Sequence, residues 1–187
     1  MAATRWLLLA LGVLLTACSG GGASASDCEP IPGAREGLCP IPVDERDDAP
    51  VDRLETVAGD EEVSVEDLDG RIVVLNFWAS WCGPCRAEQP DLNEVHAAVP
   101  ADDVAFLGVN IEDSRPNAQA HIDEFEIPYP SLFDPANDYA SRFTGVGPRT
   151  IPSTILIDAE GRVAARIMGV TDVPELLGLT ERLADEV

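Results

Sequence analysis

The chain has 187 residues, enough for one domain with a sizeable core, and its 45% apolar and 25% charged residues are those of a globular protein. Its net charge of −22 sets 34 acidic residues against 12 basic ones, every one of them arginine. So acidic a surface excludes nucleic-acid binding and broad adhesion to anionic lipid, and by itself it names no partner.

Arg5 precedes an apolar run, Trp6 to Leu15, that is too short for a typical membrane span. Leu15-Thr16-Ala17-Cys18 follows and resembles the lipobox of bacterial lipoproteins, which implies a signal peptide over residues 1–17 and a lipid on Cys18. Ordinary secretion and an uncleaved anchor remain as alternatives. Residues 18–50 read as a flexible tether, Gly/Ser/Ala-rich to Ser26 and then interrupted by Pro30, Pro32, Pro40 and Pro42. Cys28 and Cys39 flank a loop inside it, and in an oxidising compartment they are expected to form a structural disulfide. A second redox pair, or an exchange partner for the cysteines described next, is the alternative.

The folded domain is expected over residues 51–187. Leu54 to Val57 and Glu62 to Val65 alternate apolar and polar around Gly59-Asp60, the pattern of a β-hairpin. Ile72-Val73-Val74-Leu75-Asn76-Phe77-Trp78 is nearly all apolar and predicts a strand buried on both faces. It runs into Trp81-Cys82-Gly83-Pro84-Cys85 and then a helical stretch from Arg86 to Val95. Two residues between cysteines at a helix start allow the sulfurs to meet within one turn. The free N–H groups and positive dipole end there favour a thiolate at Cys82, the attacking species in disulfide exchange. Cys85, one turn further in, is the resolving thiol. Gly83 permits the close turn, and Pro84 suits an early helical position where no N–H is needed. Zinc would need two more ligands, and the only histidines, His96 and His121, lie in no ligand-spaced motif and are expected on helix surfaces. No metal and no cofactor beyond the Cys82–Cys85 disulfide is expected.

Asn76 to Pro90 resembles the active-site segment of the thioredoxin superfamily, and most closely the TlpA/ResA-like, membrane-anchored thiol–disulfide oxidoreductases of the bacterial envelope. The resemblance extends over roughly residues 50–187. It implies an α/β thioredoxin-like fold, a central mixed sheet flanked by helices, with an N-terminal hairpin and a central insertion. Cytosolic thioredoxins usually carry aspartate at the place of Asn76; the envelope branch often has asparagine there, with a glutamate at the place of Glu88. Glu88 lies three residues after Cys85 on one helical face. There it is either partly buried near the thiols, with a raised pKa, and exchanges a proton with Cys85, or is a solvated first-turn carboxylate. Pro90 is expected to kink this helix.

Further on, Val104 to Asn110 reads as a buried strand, Pro116 to Phe125 as a helix with Ala118, Ile122 and Phe125 on one face, Ser131 to Phe133 as a short extended piece, and Ala136 to Phe143 as a short helix. Ile155 to Asp158 and Val163 to Met168 form an antiparallel pair around the turn Ala159 to Arg162, and Asp172 to Ala184 a terminal helix. Pro152 matches the proline that is cis and faces the cysteines in the superfamily; an ordinary trans proline at a strand start is the alternative. The resemblance also puts Gly169 on a substrate-contacting loop, and Trp81, Ile151, Pro152 and Gly169 together on an apolar docking rim. The stretch from Gly145 to Thr150 looks longer than the common family loop.

These readings give a monomeric thiol–disulfide oxidoreductase outside the cytoplasm, lipid-anchored to the bacterial membrane and acting on cysteine pairs of envelope or secreted proteins. Reduction, as in cytochrome c maturation and fed by a membrane thiol carrier, is the expected direction. A disulfide-forming oxidase and a non-catalytic binding platform on the same fold are the alternatives.

Overall fold

The computed structural model describes residues 29–68 and 70–186; the expected signal peptide, Cys18 and Cys28 lie outside them. The hairpin is there but short. Strands β1 (Leu54–Glu55) and β2 (Glu62–Val63) pair antiparallel, and then the chain departs: Thr56 bridges Leu132, and the Val57 N–H donates to the Ser131 carbonyl at 2.7 Å.

The apolar run becomes β3 (Ile72–Trp78), buried at all seven positions. Helix α1 (Gly83–Ala98) follows, continuous through Pro90, then β4 (Val104–Ile111), α2 (Arg115–Phe125) and β5 (Ser131–Asp134). Strands β6 (Ser153–Ile157) and β7 (Val163–Met168) and helix α3 (Val173–Ala184) complete the chain. The five strands lie in the order β5-β4-β3-β6-β7. β3, β4 and β5 are parallel, joined by two strand–helix–strand crossovers, while β6 and β7 run antiparallel to their neighbours. This is the mixed α/β architecture anticipated.

Side chains alternate across β3. Ile72 and Val74 face a core with Leu92 and Val95 of α1 and Leu176, Leu179 and Leu183 of α3. Val73, Leu75 and Phe77 face the other way, into a core closed by Ala49, Val63 and Val65 and by Tyr139, Phe143 and Val146. Asn76 shares the helix-covered face, a polar residue in an apolar row.

Two expectations change. Residues 29–50, read as part of a flexible tether, pack as an arm on the domain. Ile31 is buried, the Ile41 N–H donates to the Ala164 carbonyl at 2.6 Å, the Ala49 N–H to the Gly161 carbonyl at 2.9 Å, and the Val163 N–H to the Asp47 carbonyl at 2.8 Å. The edge strand β7 thus finds backbone partners in a segment whose prolines suggested none. The helix expected from Ala136 to Phe143 shrinks to a 3₁₀ turn at Ala140–Arg142. The Asp134 carboxylate accepts from the Asp138 and Ala140 N–H groups, and Asn137 is left-handed with φ 59°. Side-chain bonds there replace the helical ones. Among the described residues no helix is long and apolar enough to cross a membrane.

Candidate active site

Strand register brings three loops together. Trp78, the last residue of β3, pairs with Asn110; Phe77 pairs with Ser153 at the start of β6; and Ser153 pairs with Met168 at the end of β7. The segments after Trp78, before Ser153 and after Met168 therefore leave the sheet at one end. They carry the cysteine pair, Ile151-Pro152 and Gly169. The carboxyl end of parallel strands is where open α/β sheets place their sites.

Cys82 is the N-cap of α1 and is bonded to Cys85, with an S–S distance of 2.00 Å and a Cα–Cα distance of 5.3 Å. The Cys82 sulfur also accepts from the Cys85 N–H at 3.2 Å, the geometry that stabilises negative charge on that sulfur once the bond is reduced. Gly83 and Pro84 fill the first turn. The pair sits in a small apolar cluster with Val57, Trp78, Ala79 and Ala118, and Ile151 packs against it. Cys82 is 4% exposed and Cys85 2%, so in the oxidised state the expected open nucleophile is nearly covered. Trp81 is the exposed member of the motif, at 54%, and its Nε1–H donates to the Glu112 carbonyl at 3.0 Å. The preceding turn is fixed by the Ser80 N–H, which donates to Asp113 Oδ2 at 2.7 Å.

Glu88 lies one turn beyond Cys85 and is 1% exposed. The Asn76 amide donates to Oε1 and the Thr171 N–H to Oε2, each at 2.9 Å. The Asn76 amide also donates to Thr154 Oγ1 at 3.1 Å. Burial pushes the Glu88 carboxyl up to about 7, against the pull of those two donors. Of its two sequence-based alternatives, the solvated first-turn carboxylate is thereby removed. A carboxyl that changes charge near neutrality is suited to exchanging a proton with a thiol one helical turn away.

The Ile151–Pro152 peptide bond is cis, and Pro152 is buried. Its carbonyl accepts from the Gly169 N–H at 2.9 Å, joining the two loops. Gly169 has φ 92°, a left-handed conformation that a side chain would strain. Among the described residues, neither backbone group of Ile151 has a hydrogen-bond partner. Met168 and Val170, which flank Gly169, are exposed and extend the apolar rim beyond the four residues expected. Next to it, Glu112 and residues Gly145 to Thr150 line a groove of about 560 Å³.

His121 departs from expectation. It is 2% exposed, stacked on Trp78 with ring centroids 4.5 Å apart, and its Nδ1 meets the Arg86 guanidinium at 3.3 Å. Burial, reinforced by Arg86, pushes its pKa down to about 4, so the ring is neutral. His96 is only partly covered and packs edge-on to Phe106. Sequence reasoning also missed Thr171, which announces itself by no motif, and gave Asn76 no contact. The signal for Asn76 was present: a lone amide in a buried apolar strand requires a partner. Cys39 is disulfide-bonded, while its expected partner Cys28 lies outside the described residues.

The model of the AhpC/TSA family matches residues 46–166. The thiol:disulfide interchange protein HelX of Rhodobacter capsulatus is 37% identical over 124 residues, covering 65% of this chain and 66% of HelX. The thiol-disulfide oxidoreductase ResA of Geobacillus thermodenitrificans is 34% identical over 108 residues, covering 58% of this chain and 60% of ResA. These matches span less than two thirds of each relative. Among solved structures, a secreted thiol-disulfide isomerase from Corynebacterium glutamicum superposes with a TM-score of 0.72 at 29% identity, covering 81% of this chain and 95% of that one. A DsbF homologue from Corynebacterium diphtheriae gives 0.70 at 33% identity, covering 83% and 96%. On the family match, the superpositions and the cysteine pair capping α1, the chain belongs to the AhpC/TSA family and has its thioredoxin-like fold.

Proposed function

We propose that this protein is an extracytoplasmic thiol–disulfide oxidoreductase that reduces disulfides in envelope or secreted proteins. The observation that carries the proposal is the Cys82–Cys85 pair at the head of α1, with a buried carboxyl one turn away. In the reduced enzyme the Cys82 thiolate attacks one sulfur of a client disulfide. The client bond breaks, a Cys82–client disulfide forms, and the other client sulfur leaves as a thiolate and takes up a proton. Glu88 accepts the proton of the Cys85 thiol, and the resulting thiolate attacks the Cys82 sulfur. The Cys82–Cys85 bond forms and the second client sulfur leaves. Two electrons have then passed to the client, and a membrane thiol carrier returns two to the enzyme.

Docking uses the exposed Trp81, Met168 and Val170, with Ile151, Pro152 and Gly169 behind them. The unpaired backbone of Ile151 is placed to accept an extended client segment by strand addition. The lipobox-like segment supports an anchor on Cys18, which would keep the domain at the membrane surface. Radiolabelled palmitate incorporation that is lost in Cys18→Ala would bear this out, and incorporation retained in that variant would refute it.

The likeness to HelX and ResA, and the Gly-Pro dipeptide, support reduction. A second reading is formation of disulfides in secreted proteins; the likeness to a secreted thiol-disulfide isomerase supports secreted clients. The reduction potential separates them. A reductase is expected below the glutathione range, near the value of about −270 mV typical of thioredoxin, whereas a value near about −150 mV assigns the oxidase. Cys85→Ser is expected to leave clients covalently trapped on Cys82. Haem-binding apoproteins among them would support cytochrome c maturation, and a broad set of secreted proteins would support general oxidation.

A further inference from the structure

The N-terminal arm reaches the site through one residue. Arg35 Nε donates to Glu175 Oε1 at 2.5 Å and Nη2 to Glu175 Oε2 at 2.7 Å, while the Arg35 backbone N–H donates to Oε1 at 3.1 Å. The same guanidinium donates to the Val170 carbonyl at 2.5 Å and the Met168 carbonyl at 3.5 Å, on either side of Gly169. Glu175 is 3% exposed and sits in the first turn of α3. Thr171 bridges the two carboxyls: its hydroxyl donates to Glu175 Oε2 at 3.2 Å and its N–H to Glu88 Oε2 at 2.9 Å. The path from the arm to the active-site carboxyl is therefore continuous.

We propose that Arg35 is a positioning residue for disulfide exchange, clamping the Met168–Thr171 loop from outside the domain and supplying the positive charge that faces Glu88. This rests on the reading of Glu88 as the proton acceptor for Cys85. The other groups around Glu88 are Cys85 and Asp91 on its own helix, neutral Asn76 and Thr154 from β3 and β6, the Tyr129 hydroxyl, and Glu175 through Thr171. The positive charge of Arg35 opposes the effect of burial on Glu88. An arginine suits the place, because its planar fork grips both carboxylate oxygens and has donors left for the two carbonyls.

The test is a ¹³C NMR titration of glutamate carboxyls in the oxidised protein, with the Glu88 signal assigned by its loss in Glu88→Gln. Arg35→Gln can still donate hydrogen bonds but removes the charge, and it should raise the Glu88 midpoint by about half a pH unit or more. Arg35→Lys should return it most of the way. Glu175→Gln preserves the shape, leaves Arg35 uncompensated and should lower the midpoint. Shifts of opposite sign are the signature of charge, because a loop that merely loosened would shift both variants the same way. Unchanged midpoints, or shifts of one sign, overturn the proposal; if Arg35→Gln does not fold, Arg35→Met, also uncharged, takes its place in the comparison with Glu175→Gln. The pH dependence of client release from the Cys82 mixed disulfide is measured alongside. Midpoints that move while release does not would uphold the link to Arg35 and refute the role given to Glu88.

Discussion

Glu88 and His121 are both buried and carry opposite linkage to pH. The Glu88 carboxyl titrates near 7 in the fold, against an ordinary value of 4.5. Its contribution to stability is therefore lost as pH rises from about 4.5 to 7, where the unfolded chain ionises freely and the buried group resists. His121 titrates near 4 against 6.5, so its contribution is present above about 6.5 and lost as pH falls toward 4. Each is worth about 3 kcal/mol, and over the shared window they largely cancel. Glu88→Gln is expected to uncover the His121 slope, so that denaturant-measured stability rises by about 3 kcal/mol from pH 4 to 6.5. His121→Gln should uncover the reverse slope, a fall of similar size from pH 4.5 to 7. Equal pH profiles for the two variants would show that these groups titrate as in water. The position of Glu88, its partial burial and its raised pKa were legible from its three-residue spacing to Cys85. Its hydrogen-bond partners were not, because Thr171 lies 83 residues away in sequence.

The elements divide in the same way. Strands β3, β4 and β6 were legible because continuous apolar runs admit few alternatives to a doubly covered sheet. The arm was not, because it docks by backbone hydrogen bonds and scattered side chains, Ile31, Arg35, Arg46 and Ala49, rather than by periodicity. Ile31 lies where a Cβ on Gly178 would stand. Gly178 lies inside α3, where glycine costs about 1 kcal/mol relative to alanine. Its presence there makes room for the arm. Gly178→Ala decides whether the arm is seated in solution. A seated arm must shift, and the variant should lose about 1–3 kcal/mol by thermal or denaturant unfolding. A free arm would leave only the helix gain, and the variant would be more stable than the parent.

At the scale of the molecule, a mixed sheet brings three distant loops to one end and hangs an arm on their outer side. The fold follows from the alternation of β3 and from the crossovers that force β4 and β5 parallel to it. The chemistry follows from placing a sulfur at a helix N-cap. The acidic surface gives that sulfur no help, since a negative charge disfavours a neighbouring thiolate; nearby, the Asp113 carboxylate accepts from the Ser80 N–H and the Glu112 backbone carbonyl from Trp81 Nε1–H. The state of Cys82 in the reduced protein is accordingly the point on which the account stands. It is read most directly from the rate of iodoacetamide alkylation of Cys82 as a function of pH, with modified residues identified by mass. Cys82 is predicted to react first, with a midpoint shifted below the ordinary thiol value by the helix N-terminus. An unshifted midpoint near about 8.5, or Cys85 reacting ahead of Cys82, would contradict it.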